Sequence, residues 1–324
     1  MKKILLIQTA FLGDVILATP LIENLHASFP EIQLDFLVKK GNEPLLLDHP
    51  KLNKLYVFDK GKKWKSMLQL IQQFRKEKYD YCINLHRFGS SGILTIFSGA
   101  QQKIGFDKNP FSFLYTKKYP HIMAKEMHEV DRNLQLIQTI CTATNRQPRL
   151  YPTPAAFEKV SVYQEEAYYC IAPASVWFTK QAPVSKWVEL CQEVKGKIYI
   201  LGAPNDKELA EEIRAKAKSE KVINLCGQLS IMESSALMKG AKRNFVNDSG
   251  PLHLASAMNA PVSAFFCSTV PDFGFGPLSE DAKVVEVKNI DCKPCGLHGH
   301  RSCPKQNFRC GNELSVKEAI IRDF

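Results

Sequence analysis

Short apolar runs without polar alternation recur along this chain, and most of them hand over to a segment of helical periodicity. That rhythm constrains the fold strongly. Unalternating strands are buried on both faces, so they belong to parallel sheets covered by helices. "KILLIQT" leads into a helix through "VILATPLIENLHASFP". "IQLDFLVKK", "KLYVFD", "YDYCINLH" and "KIGFD" follow as strands, with the amphipathic "WKSMLQLIQQFRKEKY" between the second and third of them. The rhythm breaks at "RQPRLYPTPAAFEKVSVYQEE", Arg146 to Glu166, where three prolines and weak periodicity predict a linker. It then restarts, with strands at "YYCIAPAS", "KIYILGAP", "KVINLCG", "KRNFVND" and "APVSAFFCS" and helices between them. Ser230 and Glu233 form a capping-box pattern, and Pro251 suits a helix's first turn. The expected fold is α/β: two tandem Rossmann-like, doubly wound domains, residues 1–155 and 156–324. Such sheets bind ligands beyond the carboxyl ends of their strands, so a cleft between the two domains is the expected site.

The composition is that of an ordinary globular chain, 45% hydrophobic and 23% charged over 324 residues. No apolar run reaches the length of a transmembrane helix. Lys2, Lys3 and the apolar run after them imitate a signal peptide, but Gly13 and Asp14 interrupt it, so residues 1–12 read as mature structure and the chain as cytoplasmic. The net charge of +10 is lopsided. Residues 1–160 hold 23 Lys and Arg against 14 Asp and Glu; the remainder holds 20 against 19. A basic first half is either a solvated face or the footprint of an anionic partner. No nucleic-acid-binding motif accompanies the charge, so nucleic acid is not expected.

Three stretches carry chemistry. In "TAFLGDVILATP" (Thr9 to Pro20), Gly13 and Asp14 sit where the first strand becomes a helix. Asp14 there is either a helix-capping carboxylate or a group presented to a ligand. In "FVNDSGPLHLASAMNAP" (Phe245 to Pro261), a strand ends at Asn247–Asp248, and Ser249–Gly250 open a helix whose free amides suit a phosphate. His253 lies in that helix's first turn and faces either the phosphate or the core. "APASVWFTKQAPVSKW" (Ala172 to Trp187) puts Ser175, Thr179 and Lys180 in the loop after its domain's first strand. Asp206 follows the next strand, where a carboxylate can hold ribose hydroxyls. No G-x-G-x-x-G follows "KILLIQT", which disfavours a dinucleotide-dependent dehydrogenase.

Together, "TAFLGDVILATP", "TKQAPVSKW" and "NDSGPLHLASA", in this order, resemble the lipopolysaccharide heptosyltransferases of glycosyltransferase family 9. "HEVDRN" (His128 to Asn133) and the late "CKPC…CP" run share the likeness, which spans nearly the whole chain. The resemblance implies a GT-B fold and an inverting, metal-independent glycosyltransferase that moves a heptose from ADP-heptose to a lipopolysaccharide core. By matching motif, Asp14 would be the general base. Lys180 would join it in catalysis by offsetting charge on the departing diphosphate. Ser175, Thr179, Asp206, Asp248, Ser249, Gly250 and His253 would bind the donor. Gly13, Lys60, Lys62, Lys63, Arg87, Lys117 and Lys118 would meet an acidic glycolipid acceptor on the cytoplasmic face of the inner membrane, which the chain would contact peripherally. Val176 departs from the paired hydroxyls common after the Ser175 position, and Asp206 stands where many relatives have Glu. A same-fold transferase with another sugar or acceptor, and a nucleotide-sugar-binding protein without turnover, are the competing readings.

"CKPCGLHGHRSCPKQNFRC" places Cys292, Cys295, Cys303 and Cys310 around His298 and His300. One C-x2-C is present and the second pair is spread by six residues, a partial zinc pattern. In a cytosolic chain it favours a structural metal or reduced thiols over a disulfide. No cofactor is expected for the reaction itself.

Overall fold

In the computed structural model, residues 2–122 and 127–320 are described. The chain separates into two compact units, Met1–Tyr151 and Pro152–Phe324. The first unit runs β1 (Lys3–Gln8), α1 (Leu12–Ile16), α2 (Thr19–Ser28), β2 (Gln33–Lys39), β3 (Lys54–Phe58), α3 (Lys63–Glu77), β4 (Tyr81–Asn84), α4 (Gly89–Phe97), β5 (Gln102–Phe106), β6 (Lys117–Tyr119) and α5 (Glu129–Gln135). The second runs α6 (Pro154–Val160), β7 (Tyr168–Ala172), α7 (Val184–Glu193), β8 (Lys197–Ile200), α8 (Lys207–Ala217), β9 (Val222–Asn224), α9 (Ile231–Gly240), β10 (Arg243–Asn247), α10 (Gly250–Ala257), β11 (Val262–Phe266) and β12 (Ala282–Glu286), with short helical turns after it.

Both sheets are parallel throughout. The orders are β3-β2-β1-β4-β5-β6 and β12-β11-β10-β7-β8-β9. Numbered within its own unit and read from the opposite edge, the second repeats the order of the first. It is the Rossmann order, in which the direction of winding reverses between the first and fourth strands. The chain ends entering and leaving β1 and β4, and those of β7 and β10, therefore flank a switch point in each unit.

The apolar runs are buried as their lack of alternation requires: Ile4, Leu5, Leu6 and Ile7 of β1 are fully inaccessible. The helices supply the other wall. Met67, Leu70 and Phe74 of α3 pack on Leu5, Leu37 and Cys82. In the second unit Trp187 of α7 stands edge-on to Phe265 of β11 at 5.2 Å and donates its indole N–H to the Ala182 carbonyl.

Three sequence expectations are revised. The first helix is two helices. Pro20 lacks an amide and disfavours helical backbone before it, and the buried Thr19 hydroxyl takes the Ile16 carbonyl at 2.7 Å, so α1 stops and α2 restarts. The boundary falls at Tyr151, and the proline-rich stretch is not a free linker. Buried Asn24 of α2 accepts the amides of Thr144 and Asn145, Arg149 N–H donates to Thr19, and Tyr151 donates to Glu23, so this segment is bound to the first unit. Pro154 then opens α6, whose Thr153 cap accepts from Ala156. Finally, β6 and β12 are edge strands, too short or too polar to stand out as apolar runs. The capping box does form: Ser230 and Glu233 exchange side-chain-to-amide bonds at 2.7 and 3.2 Å.

Candidate active site

In the first unit, β1 ends at Gln8 and the chain turns through Thr9–Phe11 into α1. Asp14 is the third helical residue, and its Oδ2 accepts the Phe11 amide at 3.0 Å. The turn is held from three sides. The Thr9 hydroxyl meets His86 Nδ1 at 3.0 Å, Lys60 Nζ donates to the Thr9 carbonyl at 2.9 Å, and Asn42 donates to the Ala10 carbonyl at 3.1 Å. His86 and Arg87 follow β4, so the groups around Asp14 come from both sides of the switch point. Burial pushes the Asp14 carboxyl up from its ordinary value, against the lowering pull of the Phe11 amide, Lys39 and Arg87. Burial and the charges of Lys60, Arg87 and Lys39 push His86 down to about 4, so it is neutral at physiological pH. Lys60 is itself lowered, by burial and by Lys39.

The acceptor-side residues expected from the sequence divide. Gly13, Lys60 and Arg87 lie around Asp14 at the carboxyl edge. Lys62 and Lys63 are exposed in the turn that carries Lys60, with Lys63 Nζ 5.3 Å from the Trp64 ring centre. Lys117 and Lys118 do not join them. They sit on β6, three strands from β1, which is about 14 Å at ordinary strand spacing.

In the second unit the loop after β7 is clamped by Asn247 at the end of β10. This fully buried amide accepts from Ala182 N–H at 2.9 Å and donates to the Pro173 carbonyl at 2.7 Å. The clamp brings Lys180 to Asp248: Nζ and Oδ2 are 2.7 Å apart, and Thr269 Oγ1 donates to the same oxygen at 2.6 Å. Both partners are largely buried, so the ammonium is desolvated and fixed beside the amino terminus of α10, where Ser249 is the extended N-cap and Gly250 the first helical residue. Pro251 has no N–H and the Leu252 amide donates to the Ser249 carbonyl at 3.1 Å, so Gly250 is the helical residue that offers a terminal amide. Ser175 is half-buried in the same loop.

Asp206 repeats the device seen at Asp14. It is the third residue of a short turn after β8, and its Oδ2 accepts the Ala203 amide at 2.7 Å. Gly202 makes room for it, since a Cβ there would come within 2.9 Å of the Asp206 side chain and of Cys226 Sγ.

One expected donor contact is corrected. Thr179 is only 1% exposed, and its hydroxyl is taken up by the His300 backbone and by Ser268. It latches the loop to the cysteine-rich segment rather than facing a ligand. His253 is buried on α10 against Phe275, with ring centres 6.4 Å apart.

All four late cysteines are free thiols. Burial pushes Cys303 up, but the amides of Phe308, Lys305, Asn307 and Gln306 aimed at its sulfur outweigh that and hold it below the usual thiol value. Burial pushes Cys310 up to about 11. Among the described residues, no group of three or more His, Cys, Asp or Glu is arranged to hold a metal ion. The segment's visible role is mechanical: Cys295 N–H donates to the Ser268 carbonyl at 2.8 Å, beside the Thr179 latch.

Sequence reading missed Asn247 as a clamp, Thr269, the Thr9–His86 contact and the buried pair Glu129–Arg132. The last lay inside "HEVDRN", whose density of charge at the opening of a helix was the available signal.

Two parallel sheets in tandem, each with charged groups gathered at its switch point, define a protein of the GT-B class. Its fold matches that of E. coli ADP-heptose lps heptosyltransferase II, with a TM-score of 0.77 and 22% identity over 99% of this chain and 100% of that one. The model of glycosyltransferase family 9 (heptosyltransferase) matches residues 67–305, so the chain belongs to that family and is a glycosyltransferase. It is 26% identical to lipopolysaccharide heptosyltransferase 3 of Escherichia coli, over 80% of this chain and 82% of that protein. It is 24% identical to lipopolysaccharide heptosyltransferase 1 of Pseudomonas aeruginosa, over 90% and 86%.

Proposed function

We propose that this glycosyltransferase moves a heptose from ADP-heptose to the acidic core of a lipopolysaccharide, with inversion and without a catalytic metal. The observation that carries the reading is the position of Asp14: a carboxylate at the switch point of the first sheet, raised by burial and set among Lys39, Lys60 and Arg87. An acceptor hydroxyl must lose its proton as it attacks the anomeric carbon. A carboxylate of raised basicity accepts that proton readily, and one such transfer accounts for about 10²–10⁴ in rate. Neighbouring cations suit an acceptor that carries phosphate or carboxylate groups.

The donor belongs to the second unit. The amino terminus of α10 and Lys180 offer positive potential to a diphosphate, and they offset the charge that grows on ADP as the glycosidic bond breaks. Asp248 holds Lys180 in place until the diphosphate competes for it. Asp206 takes the ribose hydroxyls, and Ser175 and Ser249 take oxygens of the diphosphate and sugar. The positive charge of Lys180 and α10 supplies what a divalent ion supplies in other transferases.

The chain works at the cytoplasmic face of the inner membrane. Exposed Phe11, Trp64 and Phe88 follow β1, β3 and β4, so they share the carboxyl edge with the cations around Asp14. Aromatic rings beside lysines suit the headgroup region of an anionic bilayer. Among the described residues no helix is long and apolar enough to cross a membrane. The deciding experiment is transfer from ADP-heptose to a purified lipopolysaccharide core, followed by mass of the product and by its anomeric configuration. UDP- and GDP-sugars serve as competing donors, and preference for either of them would displace the ADP-heptose reading.

A further inference from the structure

The loop from β4 into α4, residues 85–88, carries His86 and Arg87 at the carboxyl edge of the first sheet. The carbonyls on either side of Arg87 are each met twice. Asn109 Nδ2 donates to the His86 carbonyl at 3.0 Å and to the Phe88 carbonyl at 3.1 Å, and the Ser91 hydroxyl lies 3.1 and 2.8 Å from the same two oxygens. The His86 amide donates to Asn84 Oδ1 at 2.9 Å, and the His86 ring meets Thr9 at 3.0 Å. Asn109 is only 2% exposed and is itself held, because its Oδ1 accepts the Phe111 amide at 3.0 Å. Gly92 of α4 leaves room for it: a Cβ there would come within 2.2 Å of Asn109 Oδ1. The Arg87 guanidinium is what this loop leaves over. Arg87 is half-buried, and among the described residues it has neither a salt bridge nor a hydrogen bond. Two other cations of this edge are already engaged: Lys60 donates to the Thr9 carbonyl at 2.9 Å, and Lys39 Nζ lies 4.6 Å from the Phe11 ring centre.

We infer that Asn109 is a positioning residue for the acceptor: it holds the backbone on both sides of Arg87, so that the guanidinium stands as a fixed fork for an oxyanion of the acceptor. This inference deepens the proposed function and rests on the acceptor being bound at the first unit's carboxyl edge. A guanidinium presents paired N–H donors in one plane, which match two oxygens of a phosphate or a carboxylate. Such a bond is directional, so its strength depends on where the backbone puts the side chain. An arginine on a loose loop loses backbone freedom when it binds, and that loss is subtracted from affinity. Here Asn109 and Ser91 have fixed the backbone beforehand. A half-buried cation without a counter-ion also attracts an anion more strongly than exposed lysines such as Lys62 and Lys63, whose charge water screens. The second unit uses the same residue type in the same way, where Asn247 holds the Lys180 loop through Ala182 and Pro173.

The test is calorimetry of the full chain with the deacylated core oligosaccharide of a lipopolysaccharide, used untreated, phosphatase-treated and carboxyl-reduced. Arg87→Ala should weaken binding of the untreated core about tenfold, as the loss of one charge-assisted contact does, with ADP affinity unchanged. One of the treated cores should bind the parent and Arg87→Ala alike, and the treatment that makes them alike names the oxyanion. Asn109→Ala should weaken binding of the untreated core severalfold in the parent and add nothing in an Arg87→Ala background, because it acts through that side chain. A purely structural role would give the same loss in both backgrounds. Gly92→Ala tests the same link if Asn109→Ala does not fold, since alanine suits a helix and its methyl would meet Asn109 and the Phe111 ring. Equal losses with and without Arg87 would overturn the inference. So would core binding indifferent to Arg87, or a difference between the parent and Arg87→Ala that survives both treatments. Core binding that behaves as expected in a protein that transfers nothing from ADP-heptose would sink the proposed reaction while leaving the anion site intact.

Discussion

A carboxylate at the third position of a helix has an ordinary job, and Asp14 does it: one of its oxygens satisfies the amide of Phe11. Capping alone does not account for its surroundings, because a cap works best solvated while burial pushes this carboxyl up. Asp14→Asn separates the two roles. Asn caps as well as Asp, so folding should survive. The folded carboxyl titrates above its unfolded value, so ionised Asp14 costs stability that rises as pH climbs from about 4 through the folded midpoint. The variant should therefore melt at the parent's temperature or slightly above it at neutral pH. Its turnover at saturating donor and acceptor should fall by about 10²–10⁴-fold, with ADP affinity unchanged. Because the base works only when ionised, the parent's turnover should decline as pH falls, with a midpoint above the range of an ordinary carboxylate. A pH–rate profile that stays flat down to about pH 4 would return Asp14 to capping. At Lys180 the expected loss is in binding. Lys180→Ala removes a charge-assisted contact, and calorimetry with ADP should record about 1.5–3 kcal/mol. Unchanged ADP affinity would mean that Lys180 serves only its ion pair with Asp248.

At the scale of elements, the donor loop is arranged by one amide. Asn247 at the end of β10 holds the loop after β7 through Ala182 and Pro173, and the Thr179 latch to His300 secures the loop's middle. Asn247→Ala leaves a buried N–H and a buried carbonyl without partners. The expected cost is about 2–4 kcal/mol of stability, measured by denaturant unfolding, together with weaker ADP binding as Lys180 loses its fixed position. A variant as stable as the parent would show that water fills the gap. The split of the first helix into α1 and α2 has a similar local origin, since Pro20 and Thr19 end one helix so that α1 can present Asp14 on a single short turn.

For the whole molecule, charge and exposed aromatics divide between the units. The excess of Lys and Arg lies in residues 1–160, and Phe11, Trp64 and Phe88 stand on the same unit's carboxyl edge. The protein should sediment with phosphatidylglycerol vesicles at about 0.1 M salt and release at about 1 M, where the Debye length falls from about 10 to about 3 Å. Equal binding to neutral phosphatidylcholine would argue against a charge-directed surface. The second unit, nearly neutral, should bind ADP in protein treated with chelator as tightly as in protein given magnesium. Binding that vanished with chelator and returned with magnesium would contradict a diphosphate site built from Lys180 and the amino terminus of α10.

Much of this was legible in the order of residues, because it depends on local pattern. Unbroken apolar runs give parallel strands, their alternation with helical segments gives two Rossmann-like units, and Asp14, Asp206 and Asp248 stand where strands end. Which of the flagged residues come together was decided by tertiary structure, since it depends on strand order and not on distance along the chain. Arg87, more than seventy residues from Asp14, reaches it because β4 lies beside β1, while Lys117 and Lys118 are carried away on β6. Thr179 and Lys180 are neighbours in sequence, yet the latch to His300 turns one inward and the clamp by Asn247 brings the other to Asp248. The pairing of Glu129 with Arg132 could be guessed from their spacing on a helix. The burial of both side chains could not, because burial is a property of the packed unit and of no segment within it.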